Sequence, residues 1–172
     1  MKDSLIANHL GALAVKLIDD VSRTRPMSDT SRALMETLYF WGPMSATQLA
    51  EIAGLTQPSA KRALDKLREA GLVEWPDAGR TRPARLTGRG RSLVVELIAD
   101  RDDVLRQATS VLTREEQMTL APLLEKMLTA LTGSPEEARH MCRFCDHAIC
   151  DGPLCPVGER ARALRGAHHD TA

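Results

Sequence analysis

The sequence predicts a mainly α-helical fold with one small β-hairpin, on three observations. Aromatic residues make up 3% of the chain and apolar residues 43%, so the core must be built from Leu, Ala, Val, Ile and Met, which favours helices over a sandwich or barrel. Apolar residues recur at helical spacing along most of the chain from Leu5 to Leu131. One stretch breaks that rhythm: Leu72 to Trp75 and Arg82 to Thr87 flank a turn-rich Pro-Asp-Ala-Gly, the pattern of a hairpin.

The elements follow in order. Leu5, Ile6, Leu10, Leu13, Leu17, Ile18 and Val21 make a broad stripe on a first helix, closed by Pro26. A stripe this broad asks for a partner surface, within the fold or on a second subunit. A second helix over 29–41 turns Leu34, Met35, Leu38 and Trp41 inward and stops at Gly42-Pro43. Ser45 and Gln48 form a capping box for a short helix over 46–53, and Gly54 supplies the positive φ wanted after its end. Thr56 caps the next helix. Pro58 lies in its first turn, where a missing N–H costs little, and Ala60, Ala63, Leu64 and Leu67 form its buried stripe. Two short capped helices joined by Gly-Leu-Thr are a helix-turn-helix, and the hairpin after them is a wing. Thr87 then caps a long helix through Leu93, Val94, Leu97, Ile98, Val104, Leu105 and Ala108. Thr113 with Glu116 opens another, to about Leu131, which Gly133-Ser134-Pro135 ends.

The expected organisation is therefore an N-terminal dimerisation helix over 1–27, a winged helix-turn-helix over 28–92 and dimerisation helices over 93–138. A Cys-rich metal-binding segment over 139–160 and a disordered tail over 161–172 complete it. Nothing resembles a signal peptide, and no run approaches the roughly 18 apolar residues that span a bilayer. The chain is expected in the cytoplasm, away from membranes.

Formal net charge is zero, yet the charges are segregated. Thr56 to Arg91 holds nine Lys and Arg against four acids, whereas Ser92 to Glu137 holds nine acids against four bases. Segregation creates a local positive field that the total conceals, and the basic third coincides with the helix-turn-helix. Double-stranded DNA is the expected partner. Residues near the start of the second helix would reach base edges in the major groove. Gln57 and Arg62 suit bidentate contacts to adenine and guanine, with Ser59 beside them. Thr56, Lys61 and Lys66 suit phosphates. Arg80 and Arg82, at the wing tip, suit a narrow minor groove.

The run Thr56-Gln57-Pro58-Ser59-Ala60-Lys61-Arg62-Ala63-Leu64-Asp65-Lys66-Leu67 through Val73 resembles the recognition helix and first wing strand of MarR-type regulators. Asp77 to Arg80 and Leu86-Thr87-Gly88-Arg89-Gly90 are similar to that family's wing and the start of its next helix. The resemblance covers about residues 5–133. It implies a homodimer built from the N-terminal helix and the last two helices, bound to a pseudo-palindromic operator. It also implies a repressor released by a small-molecule effector or an oxidant, with a ligand pocket between the dimer helices and the DNA-reading part. Tyr39 and Trp41 fall near that junction, where core packing is the expected role.

All four cysteines lie in one short segment, Cys142, Cys145, Cys150 and Cys155, spaced C-x2-C-x4-C-x4-C. In a cytosolic chain such a cluster reads as metal ligation rather than disulfides. Four thiolates match a closed tetrahedral Zn²⁺ site. An Fe–S cluster and a thiol redox switch stay open, since spacing does not separate zinc from iron. His147 could replace one cysteine as ligand but reads first as a solvated loop histidine, and His140, His168 and His169 are weaker candidates still.

Catalysis is not expected. No Ser/His/Asp arrangement, P-loop or dinucleotide fingerprint is present. A thiol oxidoreductase using Cys142 and Cys145 would need a thioredoxin-like setting that the pattern lacks. A dimeric adaptor that keeps the helix-turn-helix only as scaffold is the remaining alternative.

Overall fold

The computed structural model describes residues 2–75, 83–146, 148–150 and 152–169. Helix α1 (Lys2–Arg23) leads into α2 (Asp29–Trp41), α3 (Ala46–Ala53) and α4 (Gln57–Glu69). Strand β1 (Val73–Glu74) pairs antiparallel with β2 (Arg85–Leu86). Then come α5 (Gly88–Thr109), α6 (Arg114–Leu131), α7 (Pro135–Met141) and α8 (Pro156–His169). This is the mainly helical fold with a small hairpin that the sequence predicts.

The caps explain where the helices begin. Ser45 accepts the Gln48 backbone N–H while the Gln48 side chain accepts that of Ser45. Thr113 and Glu116 repeat the arrangement. Each box satisfies two N–H groups that a helix start leaves without partners. Gly54 stands at φ 67° in the turn after α3, a conformation that costs glycine nothing and a side chain about 1–2 kcal/mol.

One core holds the DNA-reading part together. Leu34, Met35 and Leu38 of α2, Leu49 and Ile52 of α3, and Leu64 and Leu67 of α4 meet Val73 and Val94 in it. The hairpin gains a third partner before α3: Met44 and Ala84 exchange backbone hydrogen bonds of 3.2 and 2.9 Å. The hairpin is thereby fixed at its base to both ends of the helix-turn-helix. Arg25 ties the link after α1 to α5 through Glu96 at 2.7 Å and Asp100 at 2.5 Å.

Two regions differ from the sequence expectation. The segment over 161–172, expected as a disordered tail, continues α8 as far as His169. Cys155 receives the first backbone bond of that helix, from Glu159, and Pro156 fills its first position. Val157 and Ala161, four apart, then bury against Ala138 of α7. Residues 135–138, expected with the dimerisation helices, belong instead to α7, which packs on α3 and α8.

The outer helices are unusually bare. None of the described side chains of α6 is buried; Met118, Leu123, Leu124 and Leu131 stand open, as do Leu5, Ile6, Leu13 and Ile18 of α1. No helix among the described residues is long and apolar enough to cross a membrane.

Candidate nucleic-acid interface and cysteine cluster

Helix α4 presents one polar face. Ala60, Ala63, Leu64 and Leu67 point into the core, so helical spacing sends Gln57, Lys61, Arg62 and Lys66 outward, and all four are exposed. The face is braced at its start. Thr56 caps α4 by accepting the Ser59 N–H, and its hydroxyl donates to the Ser59 hydroxyl at 2.9 Å. Arg62 donates to the same Ser59 oxygen at 3.2 Å. Gln57 donates to Thr47 on α3 at 2.8 Å, locking the two helices of the motif. These contacts pre-order side chains that would otherwise lose rotamer freedom on binding.

At the other end of α4, Arg89 donates to the Ala70 carbonyl and Thr87 to the Gly71 carbonyl. Arg85 bonds Glu74 across the hairpin at 2.5 Å. The structure thus brings together Thr56, Gln57, Ser59, Lys61, Arg62 and Lys66 on one helix. Arg80, Arg82 and the Asp77–Arg80 wing motif lie outside the described residues.

Behind this module, α7, the turn after it and the start of α8 bring cysteines together. The Cys142 thiol touches those of Cys145 and Cys155, and Cys150 borders the same cavity of about 290 Å³ with Trp41. Cys155 sits at the head of α8, where its sulfur accepts the Gly158 N–H at 3.2 Å. The Cys142 thiol is raised from its ordinary pKa by hydrogen bonding to Cys145, by burial and by the neighbouring sulfurs. The Cys145 thiol is lowered by the bond from Cys142, against burial, and by the charge of Arg101. The donors suit a thiophilic cation, but among the described residues no three of His, Cys, Asp and Glu stand at metal-holding distance. His147 lies outside the described residues. His140 is engaged elsewhere: its Nδ1 meets the Ile52 carbonyl at 2.9 Å, against the helix-turn-helix.

The comparisons agree with this geometry. Residues 27–75 match the MarR family model. A solved MarR family protein from Bacillus stearothermophilus superposes with a TM-score of 0.67 at 18% identity, over 76% of this chain and 96% of that one. The MarR family protein Rv2887 of Mycobacterium tuberculosis superposes at 0.60 with 26% identity, over 73% and 95%.

The chain has the MarR winged-helix fold.

By sequence, the transcriptional repressor Rv2887 is 33% identical over 87 residues, 49% of this chain and 63% of that protein. The uncharacterised transcriptional regulator YwaE of Bacillus subtilis is 24% identical over 118 residues, 67% of this chain and 69% of its own length. Against this MarR-type frame, one group of residues had no signal in the sequence. A cavity of about 440 Å³ opens between α1, α2, α3 and α5. Arg32, Glu36, Arg101, Arg143 and Phe144 line it. Glu36 is fully buried and Arg32 nearly so, and burial lifts the Glu36 carboxyl to about 7 against the pull of Arg32, Arg101 and Arg143. Arg32 and Glu36 are four apart on α2, a spacing that reads as a solvated pair. Only the packing of α2 against α5 and the cysteine segment encloses them.

Proposed function

We propose that this MarR-type chain is a DNA-binding transcriptional regulator and no enzyme. In this reading it acts in the cytoplasm as a homodimeric repressor on a pseudo-palindromic operator. One observation carries it: the exposed face of Gln57, Lys61, Arg62 and Lys66 on a capped helix-turn-helix, braced at its start where Ser59 holds Arg62 and Thr47 holds Gln57. Rv2887, to which the chain is similar, has a structure described as a complex with DNA. The bare apolar stripes of α1 and α6 support a dimer that would set two such faces about 34 Å apart. Arg80 and Arg82 extend the contact into the minor groove, and a small-molecule effector releases it.

Anisotropy titrations on duplexes selected from a random pool test the reading. Arg62→Ala is expected to cost about 1–3 kcal/mol and relax base preference at one position of each half-site. Lys66→Ala is expected to weaken all duplexes evenly and lower the salt slope by about one. Failure of the wild type to enrich any duplex refutes regulation through this face.

The cysteine segment holds one Zn²⁺ per chain on Cys142, Cys145, Cys150 and Cys155. The contact of Cys142 with Cys145 and Cys155 supports this, since four thiolates are the donor set of a closed tetrahedral zinc site. Its role is to clamp α7 to α8. Anaerobic purification with metal analysis and a visible spectrum decides. Colourless protein with one zinc is expected, and brown protein with iron and sulfide refutes zinc in favour of an Fe–S sensor.

A further inference from the structure

Helix α3 is completed by a residue far from it in sequence. A helix leaves its last four carbonyls without partners of its own. Those of Ala50 and Glu51 are taken locally, by the Leu55 N–H at 2.8 Å and the Gly54 N–H at 3.3 Å. The Ile52 carbonyl is taken by Nδ1 of His140, 88 residues further along the chain, at 2.9 Å. A carbonyl only accepts, so Nδ1 carries the proton. The donor also meets the negative end of the α3 dipole. The ring fills the space beside the turn: a Cβ on Gly54 would lie 2.7 Å from its Cε1 and 3.1 Å from its Nδ1.

His140 stands on a short, well-tied support. Helix α6 ends at Leu131 and α7 begins at Pro135. In the link, the Gly133 N–H bonds the Glu137 carboxylate at 2.8 Å, and Ser134 caps α7 by accepting the Glu137 N–H. The buried Thr132 meets the Met141 sulfur at 3.8 Å, which joins the end of α6 to the end of α7. Beyond His140, Arg143 donates to its carbonyl at 2.6 Å. Helix α8 packs on both α7 and α6. The DNA-reading part meets α5 through its own core and through the hairpin. His140 adds a separate route, from the end of α3 through α7 to α6.

We propose that His140 is a positioning residue for DNA reading: by capping α3 and packing at Gly54 it fixes α4 relative to α6, and so fixes the half-site spacing that a dimer accepts. This rests on the reading above of α4 as the DNA-contacting helix of a dimer. His140 itself touches no DNA. The path from it to α4 is short. Only Gly54 and Leu55 separate α3 from Thr56, the cap of α4. Gln57 of α4 donates to Thr47 of α3 at 2.8 Å, so the two helices move together. In a two-fold dimer any freedom of α4 against α6 occurs twice, and binding to two half-sites must freeze both. Freezing costs affinity at the best spacing and relaxes the choice among spacings.

The experiment uses the full chain and a series of duplexes that carry the selected half-sites at the selected spacing, or with base pairs inserted or removed between them. Wild type is expected to bind one spacing best. His140→Ala is expected to bind that duplex about three- to tenfold more weakly, the range one hydrogen bond carries. It is expected to bind the altered spacings as wild type does, and to keep the wild-type salt slope because no phosphate contact is lost. A flatter profile at constant slope marks positioning, since partial unfolding weakens every duplex by one factor. His140→Asn, whose amide nitrogen stands where Nδ1 does, is expected to recover most of the preference. Hydrogen exchange without DNA is the second readout. His140→Ala is expected to speed exchange of the Gly54 and Leu55 amides about fivefold, and by a larger factor than in α5. An unchanged spacing profile, or a loss equal on every duplex, overturns the role of His140 in DNA reading. Unchanged exchange at Gly54 and Leu55 overturns the brace. A wild type that enriches no duplex overturns the DNA reading itself, and the exchange comparison then still decides whether His140 holds the turn.

Discussion

Gly90 stands where α5 crosses the end of the hairpin, and replacing it with alanine sets two effects against each other. A Cβ there would lie 2.0 Å from the Leu72 carbonyl oxygen and 3.0 Å from its carbon. An ordinary carbon–oxygen approach is about 3.3 Å or more, so backbone must separate by over an ångström. The carbonyl is not free to swing away, because it accepts both the Thr87 N–H at 3.1 Å and the Thr87 hydroxyl at 3.2 Å. Alanine is better than glycine inside a helix by about 0.5–1 kcal/mol. Overpacking against a fixed partner costs about 1–3 kcal/mol, occasionally more. The clash wins, with a net loss of about 1 kcal/mol and a fall in Tm of about 2–4 °C for a chain of this size. Gly88 is the control. It lies in the same first turn with nothing within 4 Å of its Cβ position, so Gly88→Ala is expected to be neutral or slightly stabilising. Thermal unfolding by circular dichroism at fixed protein concentration reads both. A Gly90→Ala protein at least as stable as wild type refutes the close approach of α5 to Leu72.

Other perturbations follow from single observations. Glu36 has a folded pKa of about 7 against an ordinary 4.5, so the folded state binds more protons between those values and stability falls as pH rises through them. The loss is roughly 3 kcal/mol from below pH 4.5 to above pH 7. Glu36→Gln should remove that component in urea titrations across the range, and identical pH profiles for the two proteins would count against a buried, unpaired carboxyl. Leu124→Asp on the bare face of α6 is expected to convert a dimer to monomer in sedimentation equilibrium, and wild type sedimenting as a monomer at micromolar concentration would contradict the dimer. His140→Ala removes the bond to the Ile52 carbonyl and should cost about 0.5–1.5 kcal/mol. Native-state hydrogen exchange should show α7 opening more readily, and unchanged protection there would remove His140 as the anchor.

What was legible in the sequence is what is decided locally. Ser45 with Gln48, Thr56 before Pro58, Thr87 before Gly90 and Thr113 with Glu116 each mark a helix start through contacts three residues long. The outward face of α4 followed from its apolar stripe by spacing alone. The cysteines were legible as a group because they are close in sequence, although not that Cys142 would touch Cys155 across α7 and α8. The order of α8 was missed because Gly158, Arg160, Arg162 and Arg165 give it the composition of a solvated tail. Its two anchors, Val157 and Ala161, bury only because Ala138 arrives from α7. The bridge from Met44 to Ala84 was invisible for a related reason, as one residue between Pro43 and Ser45 carries no strand period. The cavity was least legible of all. Arg32, Glu36, Arg101 and Arg143 come from three separate parts of the chain, and charged residues signal enclosure only once the surfaces that enclose them are known.

That cavity bears on how the DNA-reading part is joined to the rest of the chain. A ligand shifts an equilibrium only by as much as its affinities for the two states differ. An occupant touching α1 and α5 alone would bind equally well wherever the DNA-reading part stood. Here the lining also includes Arg32 and Glu36 of α2 and, through Ala53 and Leu55, both sides of the turn between α3 and α4. Any displacement of α3 and α4 relative to α5 therefore changes the cavity itself. The cysteine segment contacts the same turn from behind, with the His140 ring packed at Gly54 and Arg143 reaching into the cavity. The helix-turn-helix turn thus borders the cavity on one side and the His140 ring on the other.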